Sequence, residues 1–66
     1  MHVNGEKIDM QSEMPISLGE FLRKHGYDAQ RVAAEKNGEI VPKKDYESVT
    51  LADGDKLEIV HFVGGG

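Results

Sequence analysis

The chain has 66 residues, no cysteine, and eight basic against twelve acidic residues, which gives a net charge of −4. Because a chain of this size buries only about 60% of its unfolded surface, we expect one domain with a small core and no secluded catalytic pocket. The charge balance excludes nucleic-acid binding as the main task, since no basic stripe could neutralise a phosphate backbone. The absence of cysteine excludes disulfides, a thiolate nucleophile and cysteine-based metal sites.

An Asn-Gly dipeptide near the start of the chain predicts a tight hairpin, because both central positions of a type I′ turn need positive φ. The dipeptide Asn4-Gly5 pairs Val3 with Glu6 and Met1 with Ile8. In this register one face is apolar and the other polar, as a half-buried hairpin requires.

The next segment carries the signals of a helix start. Ser17 is the expected cap and Glu20 completes a capping box, while Ile16 and Phe21 stand at the positions of a hydrophobic staple. Gly26 is the expected terminator. One apolar face at helical spacing packs on the sheet; its members are Leu18, Phe21, Leu22 and His25.

A second Asn-Gly pair, Asn37-Gly38, predicts another hairpin, with Ala34 opposite Val41 and Glu35 opposite Ile40. Pro42 closes its second strand and indicates an edge position, because proline cannot donate to the ladder. Residues 43–48 are read as a polar connection with one short helical turn, and 49–51 as a short extended piece.

The turn Asp53-Gly54-Asp55 leads into a final strand. Alternation places Leu57 and Ile59 on the core face and Val60 and Phe62 on the opposite face. These last two, with Val63, are candidates for docking a partner. Packing of Val60 and Phe62 under a loop or in a second small core is equally consistent with the pattern.

The titratable side chains predict no metal site. His2, His25 and His61 show no metal-ligand spacing. We expect the carboxylates near the turns to be solvated; they are Glu35, Glu39, Asp53 and Asp55. Met1, Met10 and Met14 are expected to fill the core. No apolar run reaches the roughly 20 residues that cross a bilayer and residues 1–5 lack a leader pattern, so a cytoplasmic protein is expected.

The order hairpin, helix, hairpin, strand predicts an α+β fold of the β-grasp type. We expect a mixed sheet of four to five strands with one main helix packed on one face. A right-handed crossover through the helix should place a later strand parallel to the first. The domain should span residues 1–63, followed by a flexible glycine tail at 64–66.

The triple glycine at 64–66 has two interpretations. Glycine has no Cβ, so a tail of this kind can carry a terminal carboxylate into a narrow active site of another protein. A frayed terminus or a cloning remnant is the alternative.

The segment Asn-Gly-Glu-Ile-Val-Pro at 37–42, the Asp-Gly-Asp turn at 53–55 and the terminal glycines together resemble the ubiquitin-like sulfur carriers, most closely those of thiamine biosynthesis. The resemblance runs the full length of the chain. Gly64 is a departure, because many carriers of this type have another residue there.

The resemblance implies a carrier that is not itself an enzyme and binds no cofactor. An E1-like adenylating enzyme would use ATP and Mg²⁺ to activate the Gly66 carboxylate, and a persulfide sulfur donor would convert it to a thiocarboxylate. Thiazole synthase would then take the sulfur, while Gly64 and Gly65 let the end thread into its partners. Alternatives are a carrier for molybdopterin or tRNA thiolation, a ubiquitin-like protein modifier, and a small interaction module with an inert tail.

Overall fold

The computed structural model describes residues 1–62. In this part of the chain the strands, the helix and two 3-10 turns follow in the order β1 His2–Val3, β2 Glu6–Lys7, a 3-10 turn Gln11–Glu13, β3 Ile16–Ser17, α1 Leu18–Lys24, β4 Val32–Lys36, β5 Glu39–Val41, a 3-10 turn Lys43–Asp45, β6 Thr50–Leu51 and β7 Lys56–His61. Five strands form one sheet in the order β2-β1-β7-β4-β5, and β3 pairs with β6 in a separate two-stranded sheet.

The last strand, β7, lies at the centre of the main sheet. It runs parallel to β1 and antiparallel to β4. The pairing of β1 with β7 confirms the prediction that a later strand lies parallel to the first. The mixed five-stranded sheet with one α-helix confirms the predicted α+β fold of the β-grasp type.

Both Asn-Gly hairpins form in the predicted registers. Asn4 and Asn37 have φ of 52° and 53°, and the glycines that follow have φ of 82° and 86°. These are the left-handed conformations that a type I′ turn requires at both central positions. Val3 pairs with Glu6, and Ala34 pairs with Val41. The second hairpin ends in β5 at the sheet edge, where Pro42 follows it.

The helix α1 begins and ends at the predicted residues. The Ser17 hydroxyl accepts a hydrogen bond from Glu20 N at 3.1 Å, which satisfies one of the backbone N–H groups left free at a helix start. Gly26 follows the helix with φ of 83°, and Tyr27 N donates to Leu22 O at 2.8 Å. This is the reversal that glycine permits after a helix.

The core lies between the helix and the inner face of the main sheet. Its large members are fully buried: Met10, Leu18, Phe21, Leu22, Val32, Leu51 and Leu57. Met1 is also buried and Met14 packs against this cluster, so the methionines fill the core as predicted.

Residues 43–48, predicted to be a polar connection, contribute a buried side chain to the core. Its short helical turn at Lys43–Asp45 is confirmed, but Tyr46 is buried and its hydroxyl donates to Val32 O at 3.2 Å. Arg23 donates to both carboxylate oxygens of Glu47, at 2.7 and 3.0 Å. The segment therefore contacts β4 through Tyr46 and the helix through Glu47. Tyr46 is tolerated in the core because its ring is buried while its hydroxyl keeps a hydrogen-bond partner.

Candidate functional site

The candidate reactive end follows directly on β7. Phe62 N donates to Arg31 O at 2.9 Å, which continues the β4–β7 pairing by one residue. The predicted site residues Val63, Gly64, Gly65 and Gly66 lie outside the described residues, and so does the predicted boundary between domain and tail. The structure therefore defines the platform that leads to these residues.

Asn4 braces β7 from the side of the first hairpin. Its backbone N–H donates to Leu57 O at 2.8 Å, and its side-chain Oδ1 accepts from Ile59 N at 2.7 Å. The side chain therefore satisfies a backbone donor of β7 beyond the end of β1. An unpaired backbone donor at this half-buried position would cost about 1–3 kcal/mol.

Asn37 braces the start of β7 from the side of the second hairpin. Its backbone N–H donates to Lys56 O at 2.8 Å, and its Oδ1 accepts from Lys56 N at 3.0 Å. Its Nδ2 donates to Asp55 Oδ1 at 2.9 Å. Sequence reasoning identified both asparagines as turn residues but missed these contacts, because they join positions 18 to 55 residues apart in the chain.

Asp55 corrects the expectation that the turn carboxylates are solvated. Its residue is only 9% exposed, and its Oδ2 accepts from Ala52 N at 2.8 Å. Burial by itself raises the pKa of Asp55, but the hydrogen bonds from Asn37 and Ala52, together with the positive charges of Lys36 and the N-terminus, outweigh it and hold this pKa below its ordinary value. The carboxylate is a structural anchor at the start of β7.

The outer face of the sheet, opposite the core, presents three exposed apolar side chains, here named the outer patch. Ile40 is 75%, Val60 59% and Phe62 57% exposed. The predicted exposure of Val60 and Phe62 opposite Leu57 and Ile59 is confirmed, and the alternative of a second small core is wrong. Lys43 Nζ lies 5.3 Å from the centroid of the Phe62 ring. Ile40 was not among the predicted docking residues, although its position opposite Glu35 in the predicted hairpin placed it on this face.

Two of the histidines, His25 and His61, stack on aromatic rings. His25 stacks on Phe21 with ring centroids 4.4 Å apart, and His61 stacks on Tyr27 at 5.6 Å. Across residues 1–62, no three His, Asp or Glu side chains are grouped so that they could hold a metal ion. No helix within these residues is long and apolar enough to cross a membrane.

The exposed face of β7 lies next to the candidate reactive end of the chain. A central strand, pinned on both sides and at its start, presents an exposed apolar face immediately before four further residues, three of them glycine. An exposed apolar face of this kind is typical of a surface that contacts another protein.

Comparison with known proteins places these features in a family. A model of the ThiS family matches residues 1–66. The chain is 35% identical to the sulfur carrier protein ThiS of Bacillus subtilis, over 100% of this chain and 98% of that protein. A thiazole synthase of Paramagnetospirillum magneticum is 48% identical over 97% of this chain but only 19% of its own length. The chain spans about a fifth of the length of the thiazole synthases it matches.

The fold agrees with the sequence comparison. The crystal structure of the thiamine biosynthesis protein ThiS from Geobacter metallireducens superposes with a TM-score of 0.83 at 30% identity, covering 98% of this chain and 96% of that one. The family match over all residues and the shared fold lead to one conclusion: this chain belongs to the ThiS family.

Proposed function

We propose that this chain is a sulfur carrier protein of thiamine biosynthesis, in which the Gly66 carboxylate receives and gives up the sulfur atom. The observation that carries the proposal is the match to the Bacillus subtilis sulfur carrier over nearly the whole length of both chains. The position of β7 supports it, since this strand lies at the centre of the sheet and only Phe62 and Val63 separate it from the glycines.

The chemistry begins with activation, because a carboxylate is a poor electrophile. An E1-like adenylating enzyme joins the Gly66 carboxylate to the α-phosphate of ATP, with Mg²⁺, and pyrophosphate leaves. The terminal sulfur of a donor persulfide then attacks the carbonyl carbon and AMP departs, which leaves an acyl disulfide. A thiolate of the donor or of the adenylating enzyme attacks the donor-side sulfur of that disulfide. The products are a new protein disulfide and a thiocarboxylate at Gly66.

Thiazole synthase is the proposed recipient of the sulfur. The 48% identity to a segment of one thiazole synthase supports a functional connection between the two kinds of domain. Gly64 and Gly65 supply a tether without side chains, so that the thiocarboxylate enters a confined active site. On this proposal the chain is a co-substrate, and its partners supply the catalysis.

The test is the intact mass of the protein after incubation with its adenylating enzyme, ATP, Mg²⁺ and a persulfide donor. The expected result is a mass increase that corresponds to one oxygen replaced by sulfur. In a second step the persulfide donor carries isotopically labelled sulfur and thiazole synthase is added. Appearance of the label in a thiazole product would support the assignment to thiamine biosynthesis. Absence of any mass change with an adenylating enzyme of demonstrated activity would contradict the carrier proposal.

A matched variant locates the chemistry at the terminus. Addition of one alanine after Gly66 leaves residues 1–62 unchanged, so its free energy of unfolding should equal that of the unextended chain. Formation of the thiocarboxylate should be abolished, because the terminal carboxylate is displaced by one residue from its position in the active site of the adenylating enzyme. A stable amide bond to lysines of other proteins, in place of the sulfur adduct, would indicate a ubiquitin-like modifier.

A further inference from the structure

The two hairpin asparagines, Asn4 and Asn37, are candidates for a spontaneous chemical modification. Each is followed by Gly-Glu, so the two positions have the same chemistry in the residues that come next. An asparagine before glycine is susceptible to deamidation, because no Cβ on the glycine hinders the approach of its backbone nitrogen to the side-chain amide carbon. Both asparagines are exposed to water. A difference in their reactivity must therefore come from the fold.

Deamidation of an asparagine consumes one water molecule and releases ammonia. Hydroxide removes the proton from the backbone nitrogen of the next residue, and that nitrogen attacks the side-chain carbonyl carbon. Ammonia leaves with a proton from water, which regenerates the hydroxide, and a succinimide ring remains. Water then opens the ring to aspartate, or to isoaspartate, in which the main chain runs through the former side chain. The side-chain amide must leave its hydrogen-bond partners before the ring can close.

The fold holds the Asn37 side chain at both ends of its amide group. Its Nδ2 donates to Asp55 Oδ1 at 2.9 Å, and its Oδ1 accepts from Lys56 N at 3.0 Å. The Asp55 residue is only 9% exposed, so release of Asn37 would take a donor from a buried carboxylate, which is costly. The negative charge of Asp55 also opposes the negative charge that the attacking nitrogen must carry beside it.

The Asn4 side chain is held more weakly. Its Oδ1 accepts from Ile59 N at 2.7 Å, whereas its Nδ2 has no hydrogen-bond partner among residues 1–62. The hairpin around Asn4 consists of two-residue strands, and β2 is an exposed strand at the sheet edge. The hairpin around Asn37 instead includes β4, which lies between β5 and β7. Short edge pairings with little buried surface open at a low free energy, so the first hairpin releases its asparagine more readily.

We propose that Asn4 is the deamidation site of the native protein and that the contact with Asp55 protects Asn37. An aspartate at position 4 keeps an oxygen that can accept from Ile59 N, so the fold tolerates this product. An isoaspartate adds one carbon to the main chain of a two-residue turn, and this displaces the acceptor from Ile59 N. Modification at Asn4 therefore loosens one side of β7. The proposal is independent of the proposed function.

The test measures deamidation at the two positions in the same sample. The folded, unsubstituted protein is incubated at mildly alkaline pH in water enriched in oxygen-18, and the peptides that contain Asn4 and Asn37 are compared by mass. Asn4 should react about tenfold faster, the effect of one additional hydrogen bond to a charged group at Asn37. In urea that unfolds the protein the two rates should become similar. Equal rates in the folded protein, faster reaction at Asn37, or no reaction at Asn4 would overturn the proposal.

Two matched substitutions test what each product does to the fold. Asn4→Asp keeps the acceptor for Ile59 N and should leave the midpoint of urea unfolding unchanged at neutral pH. Asn37→Asp keeps the acceptor for Lys56 N but sets a second carboxylate against Asp55, so its midpoint should be lower. Failure of Asn37→Asp to fold would be the same result in a stronger form. A loss confined to Asn4→Asp would overturn the assigned roles of the two contacts.

Discussion

The two faces of β7 have opposite properties although they belong to the same six residues. On the inner face, Leu57 and Ile59 are 1% and 6% exposed and belong to the core. On the outer face, Glu58 and Val60 are exposed, and Phe62 continues that face beyond the strand. A single alternating strand therefore anchors the fold on one side and leaves apolar side chains exposed on the other, where we predict that a partner docks.

The difference shows how a chain of 66 residues can place core residues and an exposed apolar surface on one strand. The small core restricts the number of buried residues available, so the strand that leads to the glycines is also the strand that holds the sheet together. Substitutions on the inner face should act on stability, and substitutions on the outer face should act on partner binding. An inner-face substitution that altered only partner binding, or an outer-face substitution that altered only stability, would contradict this division.

The largest stability effect is expected from Leu57→Ala. This change opens a cavity at a fully buried position, and losses of about 2–5 kcal/mol are typical of such sites. Val60→Ala on the outer face is the control and should change the free energy of unfolding by less than about 0.5 kcal/mol. Urea unfolding followed by circular dichroism measures both. Equal losses in the two variants would show that the faces are not distinct.

The next effect concerns the asparagines that brace β7. Asn37→Gly keeps the positive φ of the turn but removes the side-chain bonds to Lys56 N and Asp55, so a loss of about 1–2 kcal/mol is expected. Asn4→Gly removes one bond, to Ile59 N, and should cost about 1 kcal/mol, the lower end of the range for an unpaired backbone donor. The same unfolding measurement compares them. A larger loss for Asn4→Gly would reverse the assigned order of the two braces.

The pH dependence of stability should report on Asp55. Its folded-state pKa is lowered, so its contribution is fully present above the ordinary carboxyl pKa of about 4 and is lost as the pH falls through the lower folded value. Unfolding free energies measured between neutral and strongly acidic pH should decline less steeply for Asp55→Asn than for the unsubstituted protein. Glu47→Gln, which removes an exposed pair with Arg23, should have a smaller effect. Parallel profiles for the unsubstituted protein and Asp55→Asn would argue against this role.

The sequence predicted the local features of this fold well. Both Asn-Gly turns, their registers, the Ser17 cap and the alternation along β7 depend on residues close together in the chain, whose backbone preferences and spacing are visible in the sequence. Phe62 and Val60 could be placed on the outer face for the same reason.

The missed features depend on tertiary contacts. The burial of Tyr46 requires β4 beside the 43–48 segment, and the burial of Asp55 requires Asn37 to approach from the second hairpin. The pairing of β3 with β6 joins two-residue strands that carry no pattern of their own. The roles of Gly64, Gly65 and Gly66 stay predictions, since those residues lie outside the described part of the chain.

A substitution at Val60 is expected to change stability least, and it tests the outer face as a docking surface most directly. Val60→Ser should leave β7 intact and remove apolar area from the outer patch. The measurement is the KM of the adenylating enzyme for this variant. The predicted result is a KM raised about tenfold, equivalent to about 1.4 kcal/mol, with the free energy of unfolding unchanged within about 0.5 kcal/mol. An unchanged KM in a folded Val60→Ser protein would contradict the division of β7 into an anchoring face and a docking face.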